Sequence, residues 1–584
     1  MAPVLCPHSR RCPGCPLIEL DYPTQLVQKR AALARALGAY RTLADSPLEP
    51  TTPAEPVTGY RVRVKLVAHR RALGLFKRGT HDVVDIPECR VQRPRVLAVT
   101  AALRGSLASL EAVSAFDVRE ADDGVLVTAA VGPRVPPAER QALAERILAL
   151  EPGIAGVAVS TRERDAPQLL GKDLAVLVGP SELRHRPDPE APFHYAAHGA
   201  FTQAHAGQLT RLHAAIEASL PKSAPNHAPE AARPTVLELY AGSGALSLRL
   251  AAHGFAVTLV EGFAPAVLMA ERAATEQGLV LTALRADAAR ALAELSQRGA
   301  RFETVIVNPP RRGLTPEVRR LLATLRPRQV VYVSCAPETL ARDAAHLALL
   351  GLALRRVTPF DMIPLSDAVE ALAVFEPGPA PVPRVLAEGA SFLVVEKEPH
   401  EPITPADGTP GSLLERVRTL PNATAAVAVD SLAAEASGAC LFSRHPADAR
   451  ALEGALARGR AETIALVRGV IRARSKLPDG PELGKAARYE RLEEGRSHSL
   501  VLVSAPPGAH GDAMAALASF RHPVLGDARG GDRNANLHFG LKHGLDRNFW
   551  HRRRLELDLE GKSVALDCAL APDLEAVLDS VRRA

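Results

Sequence analysis

The sequence contains no long hydrophobic run. None of its apolar stretches reaches the roughly 18–20 residues that a membrane-spanning helix needs. The amino-terminal stretch MAPVLCPHSRRC also lacks the apolar segment of a secretory signal. The first absence excludes a helical membrane protein, and the second argues against secretion. We therefore expect a cytoplasmic protein.

Charge of one sign is not in large excess either. The formal net charge is +6, which is compatible with a polyanionic partner but does not establish one. Apolar residues make up 47% and charged residues 23% of the chain, the composition of an ordinary soluble globular protein. With 584 residues the chain is too long for one ordinary core, so we expect two to four domains.

Cysteine is scarce, and its seven copies are unevenly placed. Cys6, Cys12 and Cys15 crowd the first fifteen residues, and Cys89 follows much later. In a cytoplasmic chain such an arrangement indicates metal binding or catalysis before disulfides. Four thiolates can close a structural zinc site or hold a [4Fe–4S] cluster, and spacing alone does not choose between them.

Apolar patterning divides the chain into regions. The cysteine segment spans residues 1–40, and a region of short strand-like runs spans 41–188. Over 189–377, runs such as VLELYAG and QVVYVSC alternate with Ala/Leu-rich helical stretches, which predicts an α/β domain with a doubly wound parallel sheet. A Pro-rich linker at 378–384 precedes a separate α+β domain at 385–584.

The segment GYRVRVKLVAHRR alternates basic and apolar residues. Arg61, Arg63 and Lys65 fall on one face of the predicted strand, opposite valine and leucine side chains. Such a face can bind RNA phosphates. A solvated strand surface is nearly as good an interpretation.

A ligand site is predicted at the carboxyl ends of the strands over 235–310. Gly242 and Gly244 form a glycine turn after the first strand, but Ser247 replaces the third glycine of a dinucleotide fingerprint, which disfavours a phosphate cradle. Glu261 ends the second strand, where an acidic residue can bind ribose hydroxyls. Asp287 follows the third strand and Asn308, in the sequence NPP, follows the fourth. Together these positions favour a methyl-donor site.

Cys335 ends the fifth strand of the same predicted sheet and therefore faces the same crevice. A thiolate that adds to C6 of a pyrimidine activates C5 for methylation, and a base must then remove the C5 proton. Glu370, at the start of the last predicted strand, is the natural candidate for that base. A lone cysteine is more often a small core residue, but its place at a strand end favours catalysis.

Over residues 1–377 the chain resembles the RNA uracil-5 methyltransferase family. The motifs FTQAH, LELYAGSG, VNPPRRG, SCAPETLARD and DMIPLSDAVE follow the order of that family. The resemblance implies a SAM-dependent methyltransferase in which Cys335 is the nucleophile and Glu370 the proton acceptor. It implies that the methyl-donor and uracil pocket is lined by Gln203, Tyr240, Glu261, Asp287 and Asn308.

The resemblance also bears on the metal and the substrate. It implies that Cys6, Cys12, Cys15 and Cys89 hold a [4Fe–4S] cluster. The sequence NPPRRG is typical of the subgroup that acts on 23S rRNA and lacks a TRAM domain, and the expected substrate is a flipped uridine in a single-stranded RNA loop. The family's usual asparagine after the nucleophile is absent, as are two histidines; the residues present are Ala336, Leu365 and Ala368.

Residues 385–584 resemble the large-subunit type of RNA pseudouridine synthase through VLAEGASFLVVEKEP, EASGACLF and RHPVLGDARGG. Ala433 occupies the position of the catalytic Asp, and Thr463 replaces the usual Tyr. We therefore expect an inactive synthase-like domain that helps to bind RNA. The alternatives for the whole chain are a tRNA uracil-5 methyltransferase and a noncatalytic RNA-binding or ribosome-assembly protein.

Overall fold

The computed structural model describes residues 3–163, 166, 168–171, 173–222, 233–406, 411–478, 483 and 487–583. The first helix is α1 (Tyr22–Gly38), and Asp21 caps it by accepting a hydrogen bond from the Thr24 backbone N–H at 2.8 Å. Its buried Leu33 and Leu37 join the largest apolar core of the molecule. Within the described part of the chain, no helix has the length and apolar character needed to cross a bilayer.

A first mixed sheet, in the described residues, has the strand order β3-β2-β1-β4-β5-β6-β7 and is covered by helices α2 and α3. A separate hairpin of β8 and β9 follows it. The elements are β1 (Arg63–His69), β2 (Ala72–Phe76), β3 (Val83–Asp85), α2 (Pro94–Gly105), β4 (Val113–Ala121), β5 (Gly124–Val131), α3 (Pro137–Leu148), β6 (Ile154–Thr161), β7 (Asp173–Val178), β8 (Glu182–His185) and β9 (His194–Ala197).

The predicted basic strand face is only partly open. Val62, Val64 and Leu66 are buried, as the alternation predicts. Arg63, however, forms an ion pair with Asp117 at 2.6 Å and donates to the Ala200 carbonyl at 2.7 Å. An arginine bound in this way to its own protein is a poor phosphate ligand, so Lys65 is left as the exposed base of this strand face.

A second sheet, in the described residues, has the order β12-β11-β10-β13-β14-β16-β15. Strands β10 to β14 run parallel, as predicted. The prediction of a parallel sheet is wrong for β16, which runs antiparallel to both of its neighbours, β14 and β15, because a loop without a crossover helix joins it to β15. The elements are α4 (Ala206–Ser219), β10 (Thr235–Leu239), α5 (Ala245–Ala252), β11 (Ala256–Glu261), α6 (Ala264–Glu276), β12 (Thr282–Arg285), α7 (Ala288–Gln297), β13 (Thr304–Val307), α8 (Pro316–Leu325), β14 (Gln329–Ser334), α9 (Pro337–Leu349), β15 (Leu352–Phe360) and β16 (Glu370–Pro377).

The carboxyl-terminal α+β part is built on a third sheet with β17-β18-β20-β25-β21-β24-β23-β22 as its main path. Its two faces bury separate apolar clusters, and α13 and α14 cover one end of one face. The elements are β17 (Val385–Glu388), β18 (Phe392–Lys397), α10 (Leu413–Val417), β19 (Val427–Ala428), β20 (Ser437–Ser443), α11 (Ala449–Arg458), β21 (Arg460–Arg468), β22 (Arg474–Lys476), β23 (Arg488–Glu494), β24 (His498–Ala505), α12 (His510–Ser519), α13 (Arg533–His543), β25 (Trp550–Leu559), β26 (Lys562–Asp567) and α14 (Pro572–Arg582).

A buried ionic network joins this part to the second sheet. Asp546, just beyond α13, accepts from Arg319 of α8 at 2.7 Å and lies 3.4 Å from Arg342 of α9. The side chain of Arg319 is fully buried, and both arginines also contact the buried Asp343. Because an unpaired buried charge is costly, the network holds the two parts in one arrangement.

Replacement of Asp546 by alanine should destabilise the protein. Breaking a buried pair leaves an uncompensated charge and costs about 3–5 kcal/mol. The expected result is a large fall in the midpoint of chemical or thermal unfolding, with faster proteolysis in the 378–384 linker. The matched control is Glu294→Ala, which removes the exposed partner of Arg290. Equal unfolding midpoints for the two variants would contradict the structural role of the network.

Candidate active site

The glycine turn after β10 presents backbone to a crevice. Gly242 has a left-handed φ of 57° and donates its N–H to Glu261 Oε2 at 3.0 Å. The other carboxylate oxygen of Glu261 accepts from the Phe263 N–H at 2.8 Å. A side chain at Gly244 would meet Ala270 and Leu259 within 3.0 Å, so this glycine allows α5 to pack against its neighbours. The turn therefore holds Glu261 rigidly at the end of β11.

Ser247 has a structural role. It is fully buried in α5 and its hydroxyl hydrogen-bonds the Glu238 carboxylate. Burial raises the pKa of Glu238 to about 7, and the Ser247 hydroxyl opposes that rise. A glycine in place of Ser247 would leave this carboxyl without that partner.

A cavity of about 470 Å³ opens at the carboxyl ends of the strands, a volume typical of small-molecule sites. Five of the predicted site residues line it: Gln203, Tyr240, Gly242, Glu261 and Asn308. Asp287 instead caps α7 by accepting from the Ala289 N–H at 2.9 Å, but it lies near enough to Tyr240 to contribute to the raised pKa of that phenol. Gly244 supports the wall by packing. Sequence reasoning missed Phe263, which lines the cavity and is 57% exposed, although it lies only two residues after Glu261.

Cys335 and Glu370 face each other across neighbouring strands. Ser334 of β14 pairs with Ala371 of β16 in antiparallel register, so Cys335 and Glu370 are the next opposed pair. Cys335 is half-buried and Glu370 is 7% exposed. Val333, two residues before the thiol, lines the cavity described above. The predicted nucleophile and base therefore face each other, but neither lines this cavity; Val333 connects the pair to the predicted ligand site.

Arg311, in the sequence NPPRRG, is a further member of this group that sequence reasoning missed. Burial and the Glu370 carboxylate raise the pKa of the Cys335 thiol, and Arg311 opposes that rise. Burial raises the pKa of Glu370 to about 7, again opposed by Arg311. A guanidinium beside both groups favours the thiolate and the carboxylate over their neutral forms. The motif contained the signal, since it places an arginine just beyond the end of β13.

The three departures from the family pattern lie around this centre. Ala336 occupies the N-cap of α9 without a side-chain cap, and the Ser334 hydroxyl accepts its N–H at 3.2 Å instead. Leu365 is fully buried among apolar residues of the cysteine segment, and its carbonyl accepts the Leu17 N–H at 3.0 Å. Ala368 donates its N–H to Ser366 Oγ at 3.3 Å. These positions therefore stabilise turns and packing.

The four predicted ligand cysteines converge beside the first sheet. All are half-buried free thiols. Burial, with Cys89 and Cys12 nearby, raises the pKa of Cys15 to about 12. Among the described residues, no three His, Cys, Asp or Glu side chains are grouped so as to hold a metal ion. The structure thus brings the thiols together without showing a metal-binding group.

Residues 201–376 match the family described as tRNA (uracil-5-)-methyltransferase. The predicted class of enzyme, an RNA (uracil-5-)-methyltransferase that uses S-adenosyl-L-methionine, is thereby confirmed. An RNA methyltransferase of Geobacter sulfurreducens is 29% identical over 397 residues, covering 63% of this chain and 76% of its own. The 23S rRNA (uracil(1939)-C(5))-methyltransferase RlmD of Pseudomonas aeruginosa is 29% identical over 389 residues, covering 64% and 80%.

The solved structure of Pyrococcus abyssi tRNA (uracil-54, C5)-methyltransferase, in complex with S-adenosyl-L-homocysteine, has a similar fold. Its TM-score is 0.50 at 23% identity, over 62% of this chain and 86% of that one.

The electrostatics of the centre predict opposite effects for two substitutions. At pH 8, above the pKa of about 7 for Glu370, alkylation of Cys335 by iodoacetamide should be slower in Arg311→Gln and faster in Glu370→Gln. The first change removes a cation that lowers the thiol pKa, and the second removes an anion that raises it. Peptide mass spectrometry measures the rate at Cys335. Arg312→Gln is the control, and a shift of the same sign in all three variants would contradict the arrangement.

Proposed function

We propose that this chain methylates C5 of a uridine in 23S rRNA through a covalent bond between Cys335 Sγ and C6 of the base. The observation that carries the proposal is the strand register that opposes Cys335 to Glu370 beside the cavity. A thiol that faced the core would have no such partner and no access to a ring.

In the proposed mechanism, the Cys335 thiolate attacks C6 and the electron pair of the C5–C6 double bond moves onto C5. S-adenosyl-L-methionine, when bound, supplies the methyl group that C5 accepts. The Glu370 carboxylate then takes the C5 proton, the C5–C6 double bond re-forms, and Cys335 leaves as thiolate. Arg311 favours the ionised forms that both steps require. Tyr240, Glu261, Asn308 and Gln203 line the space for the methyl donor and the base.

Access to the centre supports a flipped uridine as substrate. Cys335 and Glu370 must reach one ring together, and a base stacked within a duplex cannot enter between two strand ends. The choice of 23S rRNA rests on the NPPRRG sequence and on the relative from Pseudomonas aeruginosa, whose name gives that substrate. A tRNA uridine is the second candidate, favoured by the description of the matching family.

We expect the purified protein to transfer labelled methyl groups to unmodified 23S rRNA transcript and not to a tRNA mixture, with 5-methyluridine and no pseudouridine in the digested product. Cys335→Ala should abolish transfer because no adduct forms. Glu370→Gln should accumulate a covalent protein–RNA complex on a denaturing gel, since the C5 proton stays and the thiolate cannot leave.

The complementary control is the double variant Cys335→Ala/Glu370→Gln, which should show neither methylated product nor covalent complex. Methylation of tRNA alone would favour the second candidate. No methylation of either RNA by the wild-type protein would favour a noncatalytic RNA-binding or assembly protein.

We further propose that Cys6, Cys12, Cys15 and Cys89 hold a [4Fe–4S] cluster. Cys6, Cys12 and Cys89 lie close enough to Cys15 to raise its pKa, and four thiolates fit the ligand chemistry of such a cluster. Arg61 lies near enough to Cys15 to oppose the rise in its pKa, so a cationic residue faces the thiols. The cysteine segment also packs on Leu365, in the loop between β15 and β16 that leads to Glu370, so a cluster there would fix that contact.

Protein purified without oxygen should therefore contain about four iron and four sulfide ions per chain. Cys12→Ser should lose both, because one ligand of the set is removed, whereas Cys335→Ser should keep both. Iron and acid-labile sulfide are measured chemically. Stoichiometric zinc in place of iron would contradict the cluster and support a structural zinc site.

We propose that residues 385–584 are a pseudouridine-synthase-like domain without synthase activity. Ala433, at the position of the catalytic Asp, packs against an apolar cluster. The nearest acidic residue before it, Asp430, forms a buried ion pair with Arg552 and accepts a hydrogen bond from the Ser431 N–H at 2.8 Å. A carboxylate held in that buried ion pair is not available to react with a uridine. RNA binding is then the simplest use of the domain.

A further inference from the structure

A cleft of about 590 Å³ lies between the active-site loop, which is the loop 308–315 after β13, and the carboxyl-terminal part of the chain. Arg311, Arg312 and Thr339 line one wall, where the loop after β13 meets the start of α9. The other wall is formed by the end of α13 and one face of α14, including Lys542 and Arg583. Both parts of the molecule therefore contribute to one groove.

One residue, Arg311, links the cleft to the centre that holds the thiol. Arg311 lines the cleft, and it is also the cation that acts on both Cys335 and Glu370. A chain bound in the cleft would thus pass a residue that already contacts the reacting centre.

The charge of the cleft favours a polyanion. Arg312, Lys542 and Arg583 are exposed, and no ion pair joins any of them to another side chain in the described part of the chain. Of the acidic residues in the lining, Asp573 is held by Arg547 at 2.6 Å, which neutralises it. Exposed Glu338 and Asp579 offset part of the remaining positive charge.

The surface of α13 beside these basic side chains carries apolar side chains. Leu537 is 59% exposed and Leu541, which lines the cleft, is 63% exposed. They lie four residues apart and therefore on one face of the helix, next to His538 and Lys542. Alternating cationic and apolar groups suit a single strand of nucleic acid, whose backbone is anionic and whose bases are apolar on their faces.

The two walls are fixed relative to each other. Arg342 donates to the Arg312 carbonyl at 2.8 Å and to the Gly544 carbonyl at 3.2 Å. One buried side chain thereby ties the active-site loop directly to the end of α13. A groove whose walls are already rigid binds its ligand without losing conformational entropy of the walls.

We propose that this cleft binds the single RNA strand next to the uridine that is methylated, so that the carboxyl-terminal domain forms part of the methyltransferase substrate site. The identity of the strand as substrate rests on the proposed function. The charge of the groove, the position of Arg311 beside the thiol and the rigidity of the walls support its binding in the cleft.

The test uses the full-length double variant Lys542→Ala/Arg583→Ala and a fluorescein-labelled twelve-nucleotide oligouridylate. Fluorescence anisotropy gives Kd over a range of salt concentrations. Each phosphate contact to a single strand contributes about 0.7 to the slope of log Kd against log salt, so the slope should fall by about 1.4 in the double variant. The matched control is Arg450→Ala/Arg458→Ala, on exposed ends of α11 outside the cleft, which should keep the wild-type slope.

The same variants are assayed for methylation of 23S rRNA transcript. We expect a lower kcat/KM with an unchanged kcat in the cleft variant, because Lys542 and Arg583 bind RNA without touching the reacting atoms. An unchanged salt slope, or an equal fall in the control, overturns the cleft as a binding surface. A reduced slope with unchanged kcat/KM overturns its role in substrate binding. A reduced slope in a protein that methylates no RNA leaves the cleft standing and refutes the proposed function instead.

Discussion

The arrangement of the active-site end of the molecule depends on one buried carboxylate, Asp343. It accepts the Leu314 N–H at 2.7 Å, the Tyr332 hydroxyl at 2.8 Å and the Arg342 guanidinium at 2.8 Å, and it lies 3.1 Å from Arg319. These groups belong to the loop after β13, to β14, to α9 and to α8. A fully buried anion is tolerated only where such partners surround it, so the four elements must come together in one way.

The position of the thiol follows from that constraint. The loop held by Asp343 carries Arg311, and the N-cap of the helix that carries Asp343 is Ala336, the residue after Cys335. Gly313, where this loop passes the helix, has a φ of 74°, and a side chain there would come within 2.4 Å of Asp343. The loop can approach the helix only because this residue is glycine. The electrostatic partner of the thiol is therefore placed by packing several residues away.

The carboxyl-terminal part is tied to the same network. Arg319 and Arg342 each contact Asp343 on one side and Asp546 on the other, so a displacement of the carboxyl-terminal sheet would disturb the active-site loop. The network therefore gives the two parts a structural reason to stay together that does not depend on any chemistry at Ala433.

The sequence by itself determined the local units. The alternation of apolar strands with helical stretches, the glycine turn at 242–244, and the place of Cys335 at a strand end are all readable from neighbouring residues, because strand and helix periodicity are local properties. The convergence of Tyr240, Glu261 and Asn308 followed from the rule that parallel strands end at one edge, whereas Gln203, in the segment before α4, was expected there only from the family resemblance. Only the tertiary structure decided the antiparallel direction of β16, the pairing of Arg63 with Asp117, and the link from Asp343 through Arg342 to Gly544. These contacts join residues far apart in the chain, and no periodicity records which charged side chain will meet which partner once the layers pack.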